Sequence, residues 1–212
     1  MTEPVAADFD PRHKGKRHRN LRPKPAASLI LIKQHADGPR FLLGKRAETL
    51  AFLPGYFVFP GGRLERSDRA NNVTTPVFGE KIGRHAARLA ACAHRELAEE
   101  TGLHLPGSTR LSYVARAITP PYHVRRYDTR FFACVVDDEF GAPQNIKPQD
   151  DELDPIGWFS RADVQPDKLH RITSLVLSEV EKRLSGHSTL ENDAIPIPCF
   201  RFRHGKPVVE YD

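Results

Sequence analysis

The sequence predicts a layered α/β domain. Three observations carry this: short β-rich apolar runs broken by turn residues, two segments with apolar residues at helical spacing, and interleaving of the two kinds along 212 residues. With 39% apolar and 28% charged residues, such a chain can bury a core without staples. The apolar stretch Ala26 to Ile32, broken by Ser28, falls far short of the roughly 18 residues that cross a bilayer. The N-terminus places acids before bases and lacks an apolar h-region, so it does not read as a secretory signal, and a cytoplasmic protein is expected. Cys92, Cys134 and Cys199 match neither a disulfide framework nor metal-knuckle spacing and read as buried thiols.

Taken in order, residues 1 to 25 form a basic tail. Residues 1 to 24 hold seven bases and three acids, a net +4 out of the chain's +5. No aromatic residue follows Phe9 there to stack on bases, so a solvated tail is the reading preferred over a nucleic-acid arm. Ser28 to Lys33 and Arg40 to Lys45 flank an Asp37-Gly38 turn and predict a hairpin. Tyr56 to Phe59 is a short aromatic strand running into Pro60-Gly61-Gly62, where a sharp turn is expected. Residues 66 to 80 lack an apolar period and read as a loop. Arg84 to Thr101 is alanine-rich and helical, with Gly102 as its stop. Leu111 to Ile118 and Thr129 to Val136 are strands, joined by a loop carrying Pro120, Pro121, Arg125 and Arg126. Residues 137 to 155 read as an acidic loop. From Pro166 to Leu184, Leu169, Ile172, Val176, Val180 and Leu184 make one helical stripe with proline near its start. The segment from Asn192 onward has a short strand pair about His204-Gly205, so residues 187 to 212 are expected as an extension packed on the domain.

The helix ending at Thr101 should be poor on local grounds. Ala86, Ala90, Ala93 and Leu97 form a narrow stripe of small residues suited to close packing on a sheet. Glu96, Glu99 and Glu100 crowd one adjoining face, at i, i+3 and i+4. Glu96 and Glu100 repel by a few tenths of a kcal/mol, and each acid near the helix C-terminus opposes the dipole by roughly 0.3 to 1 kcal/mol. Arg95 relieves Glu99 at i,i+4. Alone, this pattern also fits a solvated acidic face. The Phe-Pro-Gly-Gly run upstream changes the balance, because glycines without Cβ atoms let a backbone carbonyl approach an ion. Carboxylates plus a carbonyl are what Mg²⁺ or Mn²⁺ prefer.

Gly62, Asp68 and the run Arg95-Glu96-Leu97-Ala98-Glu99-Glu100-Thr101-Gly102-Leu103 resemble the Nudix box: G, five residues, E, seven residues, then REUxEExGU with U apolar. Every specified position of the second half is matched. Asp68 stands where the family has glutamate, and 26 residues rather than seven separate it from Arg95, an insertion of 26 − 7 = 19 residues. The insertion, around residues 69 to 87, is expected to lengthen the helix backward through His85 and to add a flap over the site. The resemblance implies an α/β/α sandwich with a mixed central sheet over residues 26 to 186, and a homodimer is compatible with it.

For function, the resemblance implies metal-dependent hydrolysis of a diphosphate joined to some moiety X, giving phosphomonoesters. Gly61, Glu96, Glu99 and Glu100 are then the expected Mg²⁺ or Mn²⁺ ligands, with Glu99 alternatively orienting water and Arg95 holding the acids in place. Glu152, six residues before Trp158, is the candidate second-metal ligand or general base. Arg46, Arg125 and Arg126 are candidate substrate-binding bases. Leu43-Gly44-Lys45-Arg46, the Gly55 to Gly62 run and Arg125 to Phe132 are similar to stretches in coenzyme A and acyl-coenzyme A diphosphatases, although Ala51 replaces an arginine of that pattern. ADP-ribose, NADH and dinucleoside polyphosphates share the same diphosphate handle. A non-catalytic sensor is the alternative of another class; such modules usually lose the metal acids, which are all present here.

Overall fold

The computed structural model describes residues 21–148, 151–187, 190–191, 195–203 and 206–211. The basic tail up to residue 20 and the His204-Gly205 pair lie outside the described residues, as does Asp150. Among the described residues, nine strands form one mixed sheet, with helices on both faces. No helix among them is long and apolar enough to cross a membrane.

β1 (Lys24–His35) is the spine. Its run from Ala26 to Lys33 is buried without alternation, as expected of a strand covered on both faces. The Asp37-Gly38 turn folds β2 (Gly38–Arg46) antiparallel onto its C-terminal end, with Gly38 at a φ of 121 that favours glycine. β3 (Phe57–Val58) then pairs with β2. β4 (Gly61–Arg63) returns to the other end of β1, pairing Ser28 with Gly61 and Ala27 with Gly62. The two glycines are therefore strand residues, not a sharp turn. What they supply is proximity: a Cβ on Gly61 would overlap the Ala27–Ser28 backbone, and one on Gly62 would overlap the Glu96 carboxylate.

α1 (Ala86–Thr101) packs its small-residue face over β1 and β4. It starts at Ala86, so the helix does not extend backward through His85, which stands at its N-cap. Gly102, left-handed at φ 73, ends it as expected, donating its N–H to the Ala98 carbonyl. β5 (Ser112–Ile118) and β6 (Tyr127–Val135) follow, with β6 parallel to β1. β7 (Leu153–Phe159) joins β2. α2 (Arg171–His187) covers the opposite face. It begins five residues after Pro166, because the backbone just before it is held elsewhere: the Phe57 N–H donates to the Lys168 carbonyl, and Leu169 bridges to Phe57. β8 (Pro198–Arg203) and β9 (Lys206–Tyr211) form an antiparallel pair that joins the sheet through β5. All three cysteines are buried, and none is joined in a disulfide among the described residues.

The insertion does not form a flap over the helix's acidic end. Val77 pairs with β5 at Ser112, and the Thr74 N–H donates to the Gly107 carbonyl. Val73, Phe78 and Ile82 pack against the core on the α1 side of the sheet. Apolar residues scattered through a segment without period found a surface to cover beside the first turns of α1.

Candidate active site

Between the β2 end and the β4 end of β1 the sheet edge is divided, and the last two turns of α1 stand beside that division. Glu100 projects from α1 into it. It is 4% exposed, and its Oε2 accepts the Gly61 N–H at 2.8 Å. Burial raises its pKa to about 8; the Gly61 N–H and Arg46 oppose the rise, while the Glu96 and Glu152 charges add to it. Glu96, on the same helix face, is likewise raised, chiefly by burial, against the pull of Arg95. The missing Cβ of Gly62 is what gives the Glu96 carboxylate room.

Arg95 gathers the remaining acids. Its Nη1 lies 2.8 Å from Glu96 Oε1 and 2.7 Å from Glu99 Oε2, and its Nε donates to Asp68 Oδ1 at 2.8 Å. Its Nη2 reaches the Arg63 carbonyl at 3.2 Å, tying the helix to β4. A single guanidinium thus contacts three carboxylates, with its five donors in a fixed fork. Asp68 is the residue that sequence reasoning left without a role. It is buried, and although burial pushes its pKa up, the hydrogen bond from Arg95, the Glu65 N–H and the Arg95 charge hold it below the usual carboxylate value. Arg88 braces the same loop, donating to the Asp68 and Glu65 carbonyls at 2.9 and 2.7 Å. The signal for Asp68 was its place in the box pattern; the 26-residue separation from Arg95 concealed the contact.

Arg46 and Glu152 meet on the β2 side. Arg46 Nε donates to the Phe52 carbonyl at 2.9 Å, and its Nη2 stands 3.5 Å from Glu152 Oε2. Glu152 also accepts the Ala47 N–H through its carbonyl at 2.9 Å. The charges of both residues are felt by Glu100, so the structure brings Glu152, Arg46, Glu100 and Glu96 into one electrostatic neighbourhood. Arg126 is directed elsewhere: its Nη1 donates to the Leu21 carbonyl at 2.6 Å and its Nε to the Thr119 carbonyl at 3.1 Å, bracing the start of β1. Arg125 is exposed on the same loop.

Among the described residues, no three His, Cys, Asp or Glu side chains converge closely enough to hold a metal ion as they stand. Glu100 is turned onto the Gly61 N–H, and Glu96 and Glu99 onto Arg95. The donor chemistry nevertheless fits a hard divalent cation. It is all oxygen, Glu96 and Glu100 have raised pKa values that a cation would reverse, and Gly62 leaves space beside the first of them.

Comparison with known proteins gives the same frame. The sequence model of the NUDIX domain family matches residues 22–179. No curated protein matches the chain. Among solved structures, a NUDIX hydrolase from Alicyclobacillus acidocaldarius superposes with a TM-score of 0.62 at 25% identity, covering 77% of this chain and 96% of that one. The NUDIX domain of Shewanella oneidensis NrtR, complexed with ADP ribose, gives 0.53 at 17% identity over 87% of this chain and 99% of that one. A C. elegans Ap4A hydrolase gives 0.52 at 14% identity over 77% and 98%. The last two likenesses are of fold.

Proposed function

The chain belongs to the NUDIX domain family, whose hydrolases are pyrophosphohydrolases, and from that membership we propose that it cleaves the diphosphate linkage of a nucleoside-diphosphate derivative to phosphomonoesters with the help of Mg²⁺ or Mn²⁺. The observation that carries this reading is the pair of acids, buried Glu100 and half-buried Glu96, crowded beside Gly61 and Gly62 at a helix end where their charge is otherwise unfavourable.

In this reading Glu96 and Glu100 hold the cation with the Gly61 carbonyl, and Glu99 and Glu152 complete the oxygen set. A bound divalent ion screens the diphosphate charge and acidifies water. The chain's own residues prepare the place. The Gly61 N–H orients Glu100, Arg95 holds Glu96 and Glu99 in register with the Asp68 loop, and Arg46 positions Glu152 at the opposite wall. Arg125, exposed near the start of β6, remains the candidate phosphate contact of its loop, whereas the Arg126 side chain serves bracing first.

Coenzyme A or acyl-coenzyme A is the substrate favoured by the Leu43 to Arg46, Gly55 to Gly62 and Arg125 to Phe132 runs. ADP-ribose, NADH and dinucleoside polyphosphates compete with it through the shared diphosphate. The deciding experiment is a panel of these compounds with Mg²⁺ or Mn²⁺ and identification of the phosphomonoester products. Turnover of at least one member, abolished by chelation, is expected; no turnover of any member would overturn the catalytic reading.

A further inference from the structure

A second group of charged residues lies on the same sheet face as the acids but beyond the cover of α1. Gly62 pairs with Ala27, Ala27 with Arg130, Arg130 with Arg116, Arg116 with Cys199 and Cys199 with Glu210. Ladder partners share a face, so Arg130, Arg116 and Glu210 stand in the row that begins at Gly62. Asp128, Arg201 and Arg203, each at an even spacing along its strand from a member of that row, point the same way. α1 lies over β1 and β4, and α2 meets β5 from the other face.

The charges on this surface do not balance. Asp128 is shared by two guanidiniums: Arg116 grips it through Nε and Nη2, both at 2.8 Å, and Arg130 Nη1 lies 2.8 Å from its Oδ2. The arrangement repeats on the neighbouring hairpin, where Glu210 is shared by Arg201 at 3.1 Å and Arg203 at 2.7 Å. Four cations against two anions leave an excess of two positive charges. The Arg130 side chain is 14% exposed, and its Nε is buried with no hydrogen-bond acceptor among the described residues. A buried donor left unmade costs about 1–3 kcal/mol, and a partly buried guanidinium without its own counterion costs more. The charge excess is what one ligand class meets. A phosphomonoester carries about −1.5 to −2 charge at neutral pH and offers three acceptor oxygens to arginine forks.

We infer that Arg116, Arg130, Arg201 and Arg203 form a binding site for a phosphomonoester group, with Asp128 and Glu210 holding the guanidiniums in place. The site stands apart from the acid cluster, and phosphate binding there does not depend on the catalytic reading, whereas the assignment of a substrate-borne source rests on it. The group can come from a free phosphate or from a phosphate that the substrate carries besides its diphosphate.

The test titrates inorganic phosphate into the full chain in chelator at constant ionic strength, by calorimetry. Saturable binding is expected, with the Kd raised at least tenfold in Arg130→Gln and about threefold in Arg201→Gln, a partly exposed position that guards against a folding defect at Arg130. Equal binding by wild type and both variants, or no binding by wild type, would show the network to be structural only and overturn the site. The source is separated by measuring kcat/KM for NADPH against NADH. A wild-type preference for NADPH that collapses toward unity in Arg130→Gln identifies a substrate-borne phosphate. Phosphate binding that is lost in the variant without any change in that ratio identifies a free one.

Discussion

Glu100 is an acid whose surroundings favour its protonated form until something positive arrives. On the proposed role, Glu100→Gln keeps an acceptor for the Gly61 N–H and so keeps the fold, while removing an anionic ligand. Metal stabilisation of transition-state charge amounts to several kcal/mol, so kcat is expected to fall by about 10²- to 10³-fold with unchanged circular dichroism. Gly62→Ala probes the same acids from the other side. Its Cβ would overlap the mobile end of Glu96, so we expect turnover to drop at least tenfold while the thermal midpoint moves little. Asp68 is a matter of stability. Its carboxyl is held below its ordinary pKa of 3.8, so its contribution is present above that value and lost as pH falls through the folded-state pKa. Asp68→Ala should cost about 3–5 kcal/mol near neutrality, as removal of one partner from a buried ion pair does, and the gap to wild type should begin to narrow below pH about 4 in denaturant titrations. A gap that persists unchanged at pH 3 would show that packing, not charge, is what Asp68 supplies. Of these residues, the glutamates were legible from their i, i+3, i+4 spacing. The burial of Asp68 was not, because a contact between positions 68 and 95 depends on how the intervening loop folds back.

At the scale of elements, the hairpin of β1 and β2 and the course of α1 followed from β-rich apolar runs, turn residues, helical spacing and a glycine stop, all of them short-range. The start of α2 did not follow. Leu169 continues the helical stripe in sequence, yet its backbone is committed to Phe57, and a residue cannot satisfy both a strand bridge and a helical turn. The insertion likewise found its role through contact. Because Val73, Phe78 and Ile82 cover core beside α1 and not its acidic end, replacing residues 71–83 by a short flexible linker should lower the thermal midpoint by about 10 °C through lost apolar burial. The kcat of that variant should stay within threefold of wild type. A large loss of kcat with unaltered KM would place the segment in the catalytic step instead.

Across the whole molecule, β1 is the organising strand, taking β2 at one end, β4 at the other and β6 along its far edge. That division of its free edge is what sets Arg46 and Glu152 on one wall, Gly61 and Gly62 on the other, and Glu100 between them. A ligand that binds only the folded state raises the unfolding temperature by mass action. Mn²⁺ is therefore expected to raise the midpoint of wild type in a concentration-dependent way, and to leave Glu100→Gln within experimental error of its metal-free value. An equal rise in both would move the cation away from Glu100. The sequence by itself determined the α/β class, the helix with its three acids, the glycine pair and the family they resemble, because these depend on periodicity and local spacing. Only the tertiary structure decided that Arg95 unites Asp68, Glu96 and Glu99, that Gly62 makes room for a carboxylate rather than a turn, and that four arginines share two acids on one sheet face. Those arrangements rest on strand register and chain crossing, which bring together residues that no local period relates.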